Sequence, residues 1–132
     1  MKNKTNRFER LVAAADIMCR GEEERYDRKR LSLAKARQQA EKLSAIGSSP
    51  DGATMLLPEI WCARLSRTFA EIARLDGELE TLAQQLHLAR QRRKKAEERL
   101  RGERNKDRVA KEAKDVETHM EISFHANRIR LR

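Results

Sequence analysis

Read at alternating steps of four and three, the stretch from Trp61 to Leu100 is a nearly unbroken apolar ladder. It runs Trp61, Leu65, Thr68, Ile72, Leu75, Leu79, Leu82, Leu86, Ala89, Arg93, Ala96, Leu100, interrupted only by Thr68 and Arg93. A repeat of ~3.5 residues held over this length keeps a narrow seam turned toward one partner while two helices supercoil. A helix buried in a globular core would show a wider apolar stripe. The same spacing runs earlier through Phe8, Val12, Ala15, Cys19, Glu22, Tyr26, Lys29, Leu33, Ala36, Ala40 and Leu43, with Glu22 and Lys29 as charged intrusions. Between the ladders, Gly47-Ser48-Ser49-Pro50-Asp51-Gly52 carries turn chemistry, and Gly47 suits the position just past a helix end. Met55-Leu56-Leu57 is an apolar patch in this loop, and Pro58 suits the first turn of a helix, where its missing N–H costs nothing.

The pattern predicts a single coiled-coil domain over residues 1–132, with helix one over about 6–46, a loop at 47–57 and helix two over about 58–127. Folding at the loop pairs positions that sum to about 104. Leu43 then meets Trp61, Leu33 meets Ile72, Tyr26 meets Leu79, Cys19 meets Leu86 and Phe8 meets Ala96. The ladder of helix two fades just after Leu100, where helix one would run out of residues. Two ladders that end together imply an antiparallel hairpin within a monomeric chain, because a parallel dimer would have no reason to stop there. Beyond Leu100 the regular phase is expected to be lost, and Val109, Ala113, Val116 and Met120 resume a weaker ladder in a shifted register. The expected fold is therefore all-α: two long helices in an antiparallel coiled-coil hairpin, the second longer and overhanging. Gly77 and Gly102 lie inside helix two, each costing ~1 kcal/mol relative to Ala, and are candidate bends.

Composition agrees with long helices: 39% of residues are charged and only 4% aromatic, so the core is a line of seam residues without a sizeable enclosed pocket. The net charge of +9 is placed unevenly. Residues 90–132 hold 15 basic and 8 acidic side chains, hence +7, which points to an acidic partner for the C-terminal part. Cys19 falls on the seam as a small core residue and Cys62 beside it, with no disulfide framework. The opening residues form no uninterrupted apolar run and no stretch suits a membrane span, so a cytoplasmic protein without membrane insertion is expected.

No phosphate-binding loop, serine-nucleophile elbow or zinc-protease motif occurs. His119 and His125 point to different faces of a helix, and Glu121 with His125 reads as an exposed polar pair. No enzyme activity, cofactor, metal site or catalytic residue is expected. The positive signal is the run Arg90, Arg92, Arg93, Lys94, Lys95, Arg99, Arg101, Arg104, Lys106 and Arg108, offset only by Glu97, Glu98, Glu103 and Asp107. A solvated helix end and a binding surface are both open readings of it. Arg93 favours the second, since it takes a seam position where an apolar residue would pack better. Nucleic-acid binding is the alternative function, although the run has no interleaved aromatic residue and no base-reading module. Non-specific phosphate attraction and a purely structural coiled coil stay open beside it.

The layout resembles the flagellar type III export protein FliJ and its YscO-type injectisome stalk relatives. Phe8-Glu9-Arg10-Leu11-Val12 opens a long first helix that carries Glu22-Glu23-Glu24, and a short loop leads to a longer second helix. The segment from Ala89 to Leu100 looks like the family's basic R-x-x-K-x-x-E-x-L segment, and Glu117-Thr118-His119-Met120-Glu121-Ile122 like its acidic-apolar ending. The resemblance implies a non-enzymatic stalk or adaptor, cytoplasmic and peripherally attached to the export apparatus at the inner membrane. Its implied partners are the export ATPase hexamer, the export gate membrane protein and export chaperones. It carries ATPase contact onto Arg90, Arg92, Arg93, Lys94, Lys95 and Arg99, and gate contact loosely onto Trp61 and Phe69, of which Trp61 also reads as core against Leu43.

Overall fold

The computed structural model describes residues 2–48 and 58–130, and all of them are helical. The expected loop residues 49–57, with Pro50 and Met55-Leu56-Leu57, lie outside the described residues. Helix α1 spans Lys2–Ser48 and α2 spans Pro58–Arg130, the two packing on each other as an all-α hairpin with the second helix longer. Both ends of α1 reach beyond the span its ladder suggests. Pro58 is the first residue of α2, followed at once by Glu59, and Arg128 and Arg130 stand in its last turn. These charges oppose the helix dipole at each end. Gly77 and Gly102 do not interrupt α2.

The chain divides into two compact units, Ile17–Gln91 and a terminal unit made of Met1–Asp16 with Arg92–Arg132. Among the described residues of the 17–91 unit the buried ones are Cys19, Leu33, Ala40, Leu43, Leu75, Leu86 and Ala89, every one of them a ladder position. Cys19 is fully buried and clusters with Leu86 and Ala89, against which Tyr26 packs. The charged intrusions are accommodated by pairing: Lys29 reaches Glu78 at 2.6 Å, and Glu78 in turn accepts a bond of 2.8 Å from Arg74. Arg74 also pairs with Glu71. These bonds hold both carboxyls below the ordinary glutamate value, Glu71 chiefly through its hydrogen bond with Arg74 and Glu78 chiefly through that with Lys29.

Near its loop end this unit holds a steric lock. The indole Nε1–H of Trp61 donates to the Leu43 carbonyl at 2.7 Å, and the ring lies over Gly47. A β-carbon added to Gly47 would come within 2.7 Å of Cε2 and 2.9 Å of Cη2. Gly47 is therefore not a left-handed cap beyond the helix. It sits in the last turn of α1 without a positive φ, and what it contributes is the absence of a side chain.

Among the described residues of the terminal unit only Leu100 is buried, and the seam is completed by half-buried Phe8, Val12, Ala15, Arg93 and Ala96. The seam does not lose its phase at Leu100. It continues through Glu103, Asp107 and Ala110, all half-buried at the same spacing. The reason is that α1 begins early enough to cover them: Thr5 donates its hydroxyl to Asp107 at 2.6 Å, and Arg104 pairs with Glu9 at 3.3 Å. Of the polar residues that finish the seam, Asp107 is met across it by Thr5, while Glu103 pairs along α2 with Lys106. The shifted ladder at Val109, Val116 and Met120 is exposed.

Contacting residues sum to more than the level pairing suggests: 107 for Lys29 with Glu78, and 112 for Thr5 with Asp107. Side chains of an α-helix lean toward its own N-terminus. In an antiparallel pair those of α1 lean away from the loop and those of α2 toward it, so each contact joins residues displaced in the same sense. Tyr26 accordingly packs on the Leu86 cluster, about two turns beyond the expected Leu79. Trp61 and Leu43 keep the sum of 104, since there the acceptor is a backbone carbonyl.

Candidate functional site: a basic surface on α2

Residues 92–108 of α2 belong to the terminal unit, and α1 neutralises only part of their charge. Arg93, the seam arginine, pairs with Asp16 at 3.6 Å, both side chains being about one-third exposed. Its place on the ladder is thus explained by an acid on the facing helix. Arg104 is held by Glu9, Lys106 by Glu103 at 3.6 Å, and Arg108 by Asn105 at 2.8 Å and Glu112 at 4.0 Å. Arg90 lies in the 17–91 unit and pairs there with Glu23 at 3.5 Å.

What remains is Arg92, Lys94, Lys95, Arg99 and Arg101, all exposed and without an acidic partner among the described residues. At about 100° per residue, Arg92, Lys95 and Arg99 share one flank of the seam while Lys94 and Arg101 share the other. Glu98 lies behind them, on the side away from α1. Gly102 leaves a shallow notch bordered by Arg101, Arg104 and Arg108, with nothing within 4 Å of where its β-carbon would be. Two lines of mobile cations about a seam can hold carboxylates or phosphates without a fixed docking geometry. Each exposed pair is worth only about 0.2–1 kcal/mol, so the surface acts through its number of charges.

Of the two aromatic candidates, Trp61 is committed to the hairpin through Leu43 and Gly47. Phe69 is 53% exposed and available at the surface of the 17–91 unit. Glu121 and His125 are exposed, and among the described residues no group of three or more His, Cys, Asp or Glu is placed to hold a metal ion. Among the same residues no helix is long and apolar enough to cross a membrane. The division of the basic run into paired and unpaired residues escaped sequence reasoning. Its signal was present in Glu9, Asp16 and Glu23, which fall beside the first ladder at matching heights. Compared with family models, with curated proteins and with solved structures, the chain shows no match.

Proposed function

We propose that this chain is a non-enzymatic coiled-coil stalk or adaptor that presents the basic surface of its terminal unit to an acidic protein socket. The observation that carries the reading is the set of five exposed cations, Arg92, Lys94, Lys95, Arg99 and Arg101, without an ion pair among the described residues, in a run whose other members, Arg90, Arg93, Arg104, Lys106 and Arg108, are paired. The resemblance to FliJ and the YscO-type stalks supplies the socket: the hexameric export ATPase of a type III apparatus. On this reading the chain works in the cytoplasm at the inner membrane, where it also meets the export gate and emptied export chaperones. Gate contact falls to Phe69, because Trp61 is used in the hairpin.

The test is the triple reversal Arg92→Glu, Lys94→Glu, Lys95→Glu. None of the three has a partner to lose among the described residues, and helix propensity changes little, so circular dichroism should stay helical. Binding to the cognate export ATPase, and any stimulation of it, should be lost, whereas a single reversal should cost no more than about 1 kcal/mol. The same proteins are assayed on duplex DNA over a salt series. Wild-type binding to DNA with a steep salt slope, together with indifference to the ATPase, would replace the stalk by a non-specific nucleic-acid binder. Binding to neither would leave a structural coiled coil.

A further inference from the structure

After Ala110 every described residue of α2 is exposed, yet the sequence there is not uniformly polar. Val109, Ala113, Val116 and Met120 recur at steps of four, three and four. This ladder runs one residue out of step with the seam that faces α1 through Leu100, Glu103, Asp107 and Ala110. One residue is about 100° around a helix, so the second ladder faces sideways from α1. Val109, Val116 and Met120 are 53%, 59% and 68% exposed.

We propose that this ladder is a self-association face, on which the same stretch of a second copy packs antiparallel about a two-fold axis between Lys114 and Asp115. The ladder fits its own reverse. Val109 meets the partner's Met120, Ala113 meets the partner's Val116, and the two-fold axis repeats both contacts, giving four layers with no polar residue among them. Charge chooses the direction. In a parallel, in-register pair Glu112 comes against the partner's Glu117, and the repulsion occurs twice. In the antiparallel pair Glu112 faces the partner's His119, whose ring N–H can donate to it, and Lys114 lies beside the partner's Glu117.

The contact also ends by itself. One layer further on, Lys106 meets the partner's Ser123, and beyond that Arg99 would meet the partner's Arg130. The unpaired cations are therefore left free in the dimer. Each copy remains an intrachain hairpin, and the association is short and reversible.

Sedimentation equilibrium of the full chain over a concentration series should show a monomer–dimer equilibrium. Val116→Glu alters a side chain already exposed in the monomer and enters two layers of the dimer, so it should weaken association by about a hundredfold. Direction is read by disulfides in a Cys19→Ala, Cys62→Ser background carrying either Val109→Cys or Met120→Cys. The two variants mixed should cross-link to each other under mild oxidation, and neither should cross-link alone. Cross-linking of each variant with itself would overturn the antiparallel arrangement. A chain that stays monomeric throughout the series would overturn self-association and assign the ladder to a different protein. A dimer indifferent to Val116→Glu would place the interface elsewhere.

Discussion

Gly47→Ala is a test in which two well-understood effects have opposite signs. Within a helix, Gly is worse than Ala by about 0.8–1.0 kcal/mol, so propensity alone makes the substitution stabilising. At Gly47, however, the new methyl would lie inside the indole of Trp61, within 2.7 Å of Cε2 and 2.9 Å of Cη2. The ring is a rigid body hydrogen-bonded to Leu43, not the far end of a flexible chain, so it cannot slip aside locally. Relief requires the indole to swing out, losing about 0.5–1.5 kcal/mol for the hydrogen bond and part of its buried surface. Otherwise the last turn of α1 must shift, and overpacking of this kind costs about 1–3 kcal/mol. Subtracting the propensity gain leaves a net destabilisation of about 0–2 kcal/mol. Gly21, Gly77 and Gly102 are the controls, because nothing lies within 4 Å of a β-carbon at any of them. Ala at each should stabilise by about 0.5–1 kcal/mol. Urea unfolding gives the energies, and the fluorescence of the single tryptophan reports the position of the ring. Emission should move to the red in Gly47→Ala and stay unchanged in the controls. If Gly47→Ala instead stabilises like the others and leaves the emission unmoved, the indole does not pack over that glycine.

Leu86→Ala should cost about 2–5 kcal/mol, because Leu86 packs with buried Cys19, while Leu88→Ala, at a half-exposed position, should change the urea midpoint little. Equal losses would mean that Leu88 is covered. Acid should weaken the 17–91 unit: Glu71 and Glu78 have depressed folded-state pKa values, so their contribution is present above the ordinary glutamate value of about 4.3 and is lost as pH falls through the depressed values. The urea midpoint should fall between neutral and strongly acid pH, and Glu78→Gln should reduce that fall. An undiminished fall in the variant would assign the effect to general repulsion among the protein's cations.

The heptad ladders were sufficient to determine which residues turn inward. All the ladder positions from Phe8 to Leu43 and from Trp61 to Leu100 are buried or half-buried, charged Glu22, Lys29 and Arg93 included. Periodicity determines this because a narrow seam has one geometric solution, and because two ladders of matched length within one chain can satisfy each other. Heights along the seam were less legible. Reading pairs by level ignores the lean of helical side chains, and this is why Tyr26 reaches the Leu86 cluster and Thr5 reaches Asp107. Packing alone decided the role of Gly47, since a turn-like sequence carries no sign that an indole will occupy the space of its missing side chain. It also decided which cations of the basic run are left for a partner. Charge along a sequence is a sum, whereas pairing depends on which acids the facing helix brings within reach: Asp16 and Glu9 take up Arg93 and Arg104, and Arg92, Lys94, Lys95, Arg99 and Arg101 make no ion pair among the described residues.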